Sequence, residues 1–472
     1  MTEEAHEIAR ETELQAPALT AAPSRPWVAE LKALLLLGTP MALTQFVQFF
    51  INFIDVVMIG RLGPEYLGAA AQGQVIYYVT FLAGLGPAMA VIPMVSQALG
   101  ADADDVRDAR RSVRMGLWAI GCLFPFTCVI FLFAGDIIAA MGQPIILAER
   151  AGPYVLALAA GWPFMLGVIV LRNFLAAIDR TRVPLAIIAV TTGINAFLNY
   201  LLIFGGLGFP RLELVGAGIA TSLSHMIGFF ALVAYIGWDR AGRRFELFVR
   251  LFQPDWPRLR EIVRLGWPIG LTIAFEALLF NACTFIMGRI GINEVAAYQI
   301  ALNAAAVAFM MPLGYSMAGA TRVGLAQGAG DREGVVRAAI ITIVVCVGAI
   351  MIFAVPIAIV PMQIAGVYMD VADPKNAAVL GLVLSFLPVA AAFALFDAVQ
   401  VAANQCLRGL KDVDVPMILT GVSYWLIGFV VAVWLGLFTP VGAVGVWWGL
   451  LASLVAASIL LGGRLWWVVR RQ

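Results

Sequence analysis

Long stretches without a charged side chain dominate this sequence. The 49 residues from Val415 to Gly463 contain no Asp, Glu, Lys or Arg, and similar runs extend from Tyr66 to Ala101 and from Ala338 to Met369. Such runs exceed what the core of a soluble protein needs, whereas about 20 apolar residues make one membrane-spanning helix. With 62% hydrophobic and 12% charged residues, the composition excludes a soluble enzyme and predicts a polytopic membrane protein.

Twelve segments are long and apolar enough to cross a bilayer, where every backbone polar group must be satisfied inside a helix. The longest uncharged run is divided into two spans at the turn-rich stretch Gly436–Gly442. The predicted fold class is therefore an all-α integral membrane protein. Its spans are expected near 32–60, 67–99, 114–135, 153–178, 183–205, 214–238, 263–290, 295–323, 336–361, 377–407, 415–437 and 441–467.

Basic residues collect on one side of these spans. An even number of spans puts both termini on the same side, and 25 of the 30 Lys and Arg residues fall in segments on that side. By the positive-inside rule, both termini are expected in the cytoplasm, with the chain in the cytoplasmic (inner) membrane. The formal net charge of +1 provides no overall field for nucleic acid, so no nucleic-acid partner is predicted.

An internal repeat divides the chain into two halves. A shift of 228 positions aligns Leu37–Pro40 with Leu265–Pro268 and Gly60–Gly63 with Gly288–Gly291. Six spans per half give both halves the same orientation, around an axis along the membrane normal, and such parallel repeats usually enclose a central cavity. This arrangement predicts transport by alternating access. The predicted units are a disordered cytoplasmic tail at 1–30, an N-lobe at 31–238, a cytoplasmic linker at 239–262 and a C-lobe at 263–472.

Three acidic residues, Asp55, Glu276 and Asp397, lie well inside predicted spans. A carboxylate at the bilayer centre costs a few kcal/mol, so each is a functional-site hypothesis. The alternative is a protonated carboxyl that only bonds to a neighbouring helix. Under the repeat shift, Asp55 falls on Cys283 and Glu276 falls on Gln48, which predicts different tasks for the two lobes.

Amide side chains recur at helical spacing beside two of these acids, in the first and tenth spans. They are Gln45, Gln48, Asn52, Gln400 and Asn404. Polar stripes on apolar helices must face protein or water, so both helices are predicted to line a cavity. Hydrogen bonding between helices is the alternative, because Asn and Gln also hold helices together.

A second polar group lies in the fifth and sixth spans. Asn195 and Asn199 are one turn apart with Thr192 on the same face, and Thr221 follows a run of small residues. Neutral oxygens with one carboxylate suit a weakly held Na⁺ or a proton-dependent hydrogen-bond network. Small residues next to Thr221 also fit close helix packing, so both interpretations stay open.

Three motifs carry a family resemblance: Phe53–Gly60, Leu265–Pro268 with Glu276, and Asp397–Gln400 followed by Leu407–Gly409. The chain resembles the multidrug and toxic compound extrusion (MATE) family over residues 32 to 468, and within it the NorM-type bacterial branch. The resemblance implies twelve spans in two halves and a secondary antiporter, in which substrate leaves the cell while Na⁺ or H⁺ enters.

The resemblance also implies which residues bind the coupling ion. The family's amino-terminal cation site corresponds to Asp55, Asn195, Asn199 and Thr221, and its carboxy-terminal acids correspond to Glu276 and Asp397. Relatives often carry a tyrosine one turn before the tenth-span acid, whereas this chain has Phe393. A hydroxyl ligand is therefore expected to be missing from the second lobe.

The function predicted is a secondary active multidrug efflux transporter that exchanges amphipathic, mostly cationic organic compounds for Na⁺ or H⁺. It is expected to act as a monomer in the lipid bilayer, with no cofactor besides the coupling ion. The alternative, a lipid-linked oligosaccharide flippase of the same superfamily, would need basic residues in the cavity, and no Lys or Arg is expected in mid-helix. No catalytic residues and no enzyme activity are predicted, because the sequence has no HExxH or GxSxG motif.

Overall fold

The computed structural model describes residues 27–471 except 105, 207 and 250, and all regular structure in that part of the chain is helical. Eleven of the described helices are long and apolar enough to cross a membrane. The helix pair Ile145–Ala159 and Trp162–Ala177, bent by 42° at its break, forms a twelfth span. The predicted all-α protein with twelve spans is confirmed.

Nine of the spans begin and end within five residues of the predicted limits, whereas the third and fourth spans begin eight residues earlier than predicted and the seventh begins seven residues earlier. Their bounds are Trp27–Gly60, Pro64–Ala101, Val106–Leu132, Ile145–Ala159 with Trp162–Ala177, Arg182–Phe204, Glu213–Trp238, Trp256–Ile290, Ile292–Gly328, Arg332–Ile359, Pro374–Gly409, Asp414–Leu437 and Ala443–Arg471. The break between the last two spans falls in the turn-rich stretch that divided them in the sequence.

Two boundaries of the predicted tail and linker also differ from the structure. The first span begins at Trp27, so the last four residues assigned to the tail are helical, and the rest of that predicted tail lies outside the described residues. The seventh span begins at Trp256, inside the predicted linker. There Asp255 caps the helix by accepting a hydrogen bond from the backbone of Arg258, and Pro257 occupies the first turn, where its missing N–H costs nothing.

The repeat seen in the sequence is also present in the packing. The third and ninth spans are each followed by a short helix, Ala134–Ala140 and Pro361–Tyr368. Thr44 Oγ1 donates to the carbonyl of Pro40 at 2.7 Å, and Thr272 Oγ1, 228 positions later, donates to the carbonyl of Pro268 at 2.8 Å. The same local structure is therefore built twice.

Two glycines allow the lobes to approach closely. A methyl group at Gly100 would overlap the carbonyl of Leu325, and one at Gly328 would overlap the carbonyl of Gln97. The 228-residue shift converts the first contact into the second. The lobes therefore meet around a pseudo-twofold axis, as the parallel repeat predicts.

The lobes are closed against each other on the side that carries the chain termini. Arg322, at the end of the eighth span, forms a bidentate ion pair with Glu30, near the start of the first span, at 2.8 and 2.6 Å. On the same side, Gln97 Nε2 donates to the carbonyl of Gly409 at 2.8 Å. Arg332 and the carbonyl of Arg471 lie 3.5 Å apart, which brings the carboxy-terminal helix to this side as well.

The linker between the lobes packs on the third span. Trp118 Nε1 donates to the carbonyl of Leu251 at 2.6 Å, and Arg114 Nη2 donates to the carbonyl of Gln253 at 2.7 Å. These two hydrogen bonds attach the linker to the N-lobe. From the C-lobe, Lys411 reaches Glu261 at 3.0 Å.

Candidate functional site

The carboxyl group of Asp55 lies in a hydrogen-bond network between the first, fifth and sixth spans. Asn199 Nδ2 donates to Asp55 Oδ1 at 2.5 Å, and Thr221 Oγ1 donates to Asp55 Oδ2 at 3.1 Å. Asn199 Nδ2 also donates to Asn195 Oδ1 at 3.1 Å, and Asn195 Nδ2 donates to Thr221 Oγ1 at 3.5 Å. Asp55 and both asparagines are buried. The four residues named in the sequence are therefore in mutual contact.

Local sequence explains why these side chains meet. Asn195 and Asn199 are four residues apart and therefore share one helix face. The sixth span approaches that helix closely at Gly216. A methyl group there would overlap the carbonyl of Leu202, so only a residue without a side chain permits this distance. The small residues near Thr221 thus serve close helix packing, and this packing is what brings its hydroxyl to Asp55.

Thr192 does not join this network. Its hydroxyl donates to the carbonyl of Ile188, one turn earlier on its own helix, at 2.7 Å. This local bond competes with any longer-range partner, as is common for threonine in apolar helices. Sharing a helix face with the asparagines was therefore not enough to bring Thr192 to the acid.

The network can respond to either coupling ion. Both oxygens of Asp55 accept hydrogen bonds, as an ionised carboxylate requires, and protonation would turn one acceptor into a donor. In the described structure, Asn199 Oδ1 is buried without a hydrogen-bond partner. Rotation of that amide would offer this oxygen to a protonated carboxyl, or add it to the carboxylate and Thr221 oxygens around Na⁺. The residues present fit both ions.

Two residues near Asp55 were not predicted from the sequence. Tyr154, in the fourth span, is 2% exposed and interacts electrostatically with Asp55. Gln74, in the second span, donates to the Tyr154 hydroxyl at 2.9 Å. Neither residue is charged or part of a polar stripe, so no sequence pattern marked them.

The amide stripe of the first span divides between different environments. Gln45 and Gln48 accept hydrogen bonds from Arg172 Nη1 at 3.0 and 2.9 Å, whereas Asn52 is exposed. Arg172 lies inside the fourth span and is 7% exposed, so the expectation that no basic residue lies in mid-helix was wrong. Its charge is compatible with burial because two amide oxygens on another helix accept its hydrogen bonds.

The acids of the second lobe lie in a cluster of four ionisable groups. Asp397 interacts electrostatically with Glu276, and both interact with Tyr424 of the eleventh span. Arg408 also interacts with Glu276, and its Nη1 donates to Gln405 Oε1 at 3.3 Å. Within the described residues, Asp397 Oδ1 and the Tyr424 hydroxyl are buried without hydrogen-bond partners. These two oxygen atoms without partners are available to bind a proton or a cation.

Tyr424 supplies a hydroxyl to the second lobe from an unexpected helix. Phe393 is 3% exposed, and its ring packs against Phe280 and Trp447 with centroids 5.9 and 5.8 Å apart. Position 393 therefore belongs to an aromatic core, as its apolar side chain requires. The loss of a hydroxyl there does not leave the acid cluster without one.

Gln400 and Asn404 are 3% and 4% exposed and lie inside the C-lobe. Glu276, by contrast, is only partly buried and interacts with Tyr78 of the N-lobe, whose side chain is 44% exposed. The interface between the lobes therefore has an acid on one wall and an aromatic ring on the other. Organic cations are attracted to both kinds of group.

A family model described as MatE matches residues 40–201 and 268–434, one segment in each lobe. Similar proteins include a probable multidrug resistance protein NorM of Mesorhizobium japonicum, 40% identical over 93% of this chain and 94% of that protein. Another is a probable multidrug resistance protein NorM of Rhizobium meliloti, 41% identical over 94% of this chain and 95% of that protein.

Solved structures share the fold. A crystal structure of MATE in complex with MaL6 matches with a TM-score of 0.86 and 20% identity, covering 97% of this chain and 100% of that one. An outward-facing conformation of a multidrug resistance MATE family transporter of the MOP superfamily matches with a TM-score of 0.83 and 21% identity, covering 94% and 96%. The chain therefore shares its overall fold with these solved structures.

Proposed function

The chain belongs to the MatE family, and from that premise we propose that it is a secondary active multidrug efflux transporter, exchanging amphipathic, mostly cationic organic compounds for Na⁺ or H⁺. It is a multi-pass integral membrane transporter and not an enzyme, and it uses coupling ions rather than a cofactor. Both termini are proposed to face the cytoplasm in the inner membrane, with the chain working as a monomer.

The observation that carries the proposal is the network around Asp55. A buried carboxylate that can exchange its two hydrogen-bond donors for a proton or a cation gives the N-lobe two states. Coupling requires only that ion binding favour one lobe arrangement over the other, since a ligand shifts an equilibrium by its difference in affinity for the two states. The positions of Asp55, Asn195, Asn199 and Thr221 support this role.

Substrate binding is proposed at the interface between the lobes. Glu276 and Tyr78 offer a carboxylate and an aromatic face to a cation. Asp397 is proposed to adjust the charge of this region through its interaction with Glu276. With the lobes closed on the terminus side, the conformation is proposed to be outward-facing, ready to release substrate and take up the ion.

Transport in vesicles tests this proposal. Efflux of a fluorescent organic cation is measured under an imposed Na⁺ gradient and, separately, an imposed pH gradient, in the wild type, Asp55→Asn and Glu276→Gln. Efflux that follows one gradient and is lost in both variants is the expected result and identifies the ion. Efflux that responds to neither gradient would reject the antiporter.

One alternative is a lipid-linked oligosaccharide flippase, which would need arginine side chains to bind phosphate groups. Arg172 and Arg408 are buried and are the candidates for that task. However, Arg172 donates to two glutamines and Arg408 lies beside Glu276 and Gln405, so neither cation is free for a phosphate. Movement of a lipid-linked pyrophosphate between leaflets, lost in Arg172→Gln, would support the flippase over the antiporter.

A further inference from the structure

A groove of about 510 Å³ lies on the outer surface of the first span near its start, a size common for ligand sites. Its apolar wall includes Val28, Leu31, Leu35 and Leu36. Val28 and Leu36 are 75% and 56% exposed, so this wall has no protein partner in the described structure. The groove is separate from the lobe interface and from the acids proposed to couple transport.

Two cations lie in the same groove. Lys32 comes from the first span, and Arg182 begins the fifth span. Both side chains are exposed, and in the described part of the chain neither forms an ion pair. The groove therefore combines apolar walls with two positive charges that lack a counter-charge.

The position of the groove matches the boundary of a bilayer. From Val28 to Pro40 the first span rises roughly 18 Å, which carries the groove from the terminus-side end of the helix into the apolar layer. Basic pockets between helices at such a boundary bind anionic lipid headgroups, and acyl chains fill apolar grooves below them. We infer that this groove binds an anionic phospholipid, with its phosphate between Lys32 and Arg182 and an acyl chain along Leu31, Leu35 and Leu36.

A second occupant to consider is the chain's own amino-terminal segment. Residues 1–26 contain five Glu and two Arg, so charge alone would allow that segment to bind the two cations. The groove, however, is mainly apolar, and the 13 residues before Trp27 contain only two leucines, Leu14 and Leu19, among prolines, alanines and polar residues. An acyl chain matches the apolar wall better than this segment does.

Native mass spectrometry of the full chain in detergent tests the inference, with phosphatidylglycerol and phosphatidylcholine of identical acyl chains as probes. The wild type is expected to bind phosphatidylglycerol at least tenfold more tightly. The double variant Lys32→Gln/Arg182→Gln is expected to lose about five- to thirtyfold in affinity for phosphatidylglycerol and to keep its affinity for phosphatidylcholine. Equal affinity of the wild type for the two lipids would overturn the inference.

The matched control is Arg243→Gln/Arg260→Gln, which removes two exposed positive charges on the terminus side outside the groove. Its affinity for phosphatidylglycerol is expected to stay within twofold of wild type. If it lost as much affinity as the groove variant, the preference for phosphatidylglycerol would come from the overall surface charge and not from the groove. Leu36→Trp places a larger side chain in the groove at an exposed position and is expected to weaken the binding of both lipids. It tests the groove even if the charge variants fold poorly.

A chain lacking residues 2–20 separates the two occupants. If the groove holds lipid, this truncation leaves the affinity for phosphatidylglycerol within twofold of wild type. An increase of tenfold or more would mean that the amino-terminal segment occupies the groove, and the lipid assignment would be wrong.

Discussion

Arg322 and Glu30 form a buried, bidentate ion pair that joins the C-lobe to the N-lobe at the terminus side, with their side chains 11% and 7% exposed. The pair exists only while the lobes are closed there. Removing one partner of a buried pair typically costs about 3 to 5 kcal/mol because the other charge is left uncompensated. Loss of either partner therefore destabilises the closed arrangement relative to an open one, in which water hydrates the remaining charge.

We expect Glu30→Gln to shift the chain toward the arrangement that is open on the terminus side, by tenfold or more in population. Distances between spin labels on the two lobes at that side would measure the shift. The charge-swapped double variant Glu30→Arg/Arg322→Glu is the control and should restore much of the closed population. Unchanged distances in Glu30→Gln would show that the pair does not control closure.

Thr221→Val should weaken coupling because it removes a hydrogen bond to Asp55 Oδ2. The expected effect is a roughly tenfold lower apparent affinity for the driving ion, measured from initial transport rates at increasing ion concentration. Thr192→Val is the matched control, since its hydroxyl bonds only to its own helix, and it should behave as wild type. Equal effects of the two variants would argue against the proposed site.

Tyr424→Phe should impair the second lobe because it removes a hydroxyl that interacts with Glu276 and Asp397. We expect the KM for an organic cation to change severalfold, with little change in thermal stability, because the hydroxyl has no hydrogen-bond partner to lose in the described structure. Tyr298→Phe, which loses the hydrogen bonds of its hydroxyl with the carbonyl of Phe280, at 3.2 Å, and with Thr284, both outside the acid cluster, should leave KM unchanged. A larger change of KM in Tyr298→Phe than in Tyr424→Phe would show that the Tyr424 hydroxyl is not the functional one.

Acid should weaken the attachment of the linker. The guanidinium of Arg111, which donates to Asp255 Oδ2, holds the pKa of that carboxyl below its ordinary value. Because the folded-state pKa is the lower one, this stabilisation is present above about pH 4, the ordinary pKa of Asp, and is lost as the pH falls through the folded-state pKa.

Asp255→Asn keeps a residue that can cap the seventh span but removes this charge. We expect it to unfold at a lower temperature than wild type at pH 7, with the difference narrowing toward pH 3. Thermal unfolding in detergent across that range measures both. A difference that is constant with pH would show that the carboxylate charge is not responsible.

The sequence predicted the twelve spans because each apolar run lies between charged or turn-forming segments. It also singled out Asp55, Asn195, Asn199 and Thr221, whose contacts follow from polar groups on three apolar helices needing one another. Helix packing at Gly216 completes the arrangement, so packing and polar contact were not competing explanations.

What escaped the sequence depends on partners from distant helices. Arg172 was not predicted to lie in mid-helix, because nothing along the chain shows that Gln45 and Gln48 accept its hydrogen bonds. Tyr424 supplies the hydroxyl that Phe393 lacks, although the two residues belong to different helices. A partner supplied by a distant helix leaves no periodic pattern in a single sequence.

The most direct test of ion coupling by Asp55 compares two activities of Asp55→Asn in vesicles. Exchange of labelled for unlabelled substrate without an ion gradient requires only substrate binding and lobe movement, whereas accumulation driven by Na⁺ or H⁺ also requires coupling. We predict that Asp55→Asn keeps exchange within about threefold of wild type and loses gradient-driven accumulation by at least tenfold. Accumulation that persists in Asp55→Asn at the wild-type level would contradict the claim that this carboxylate couples the ion to transport.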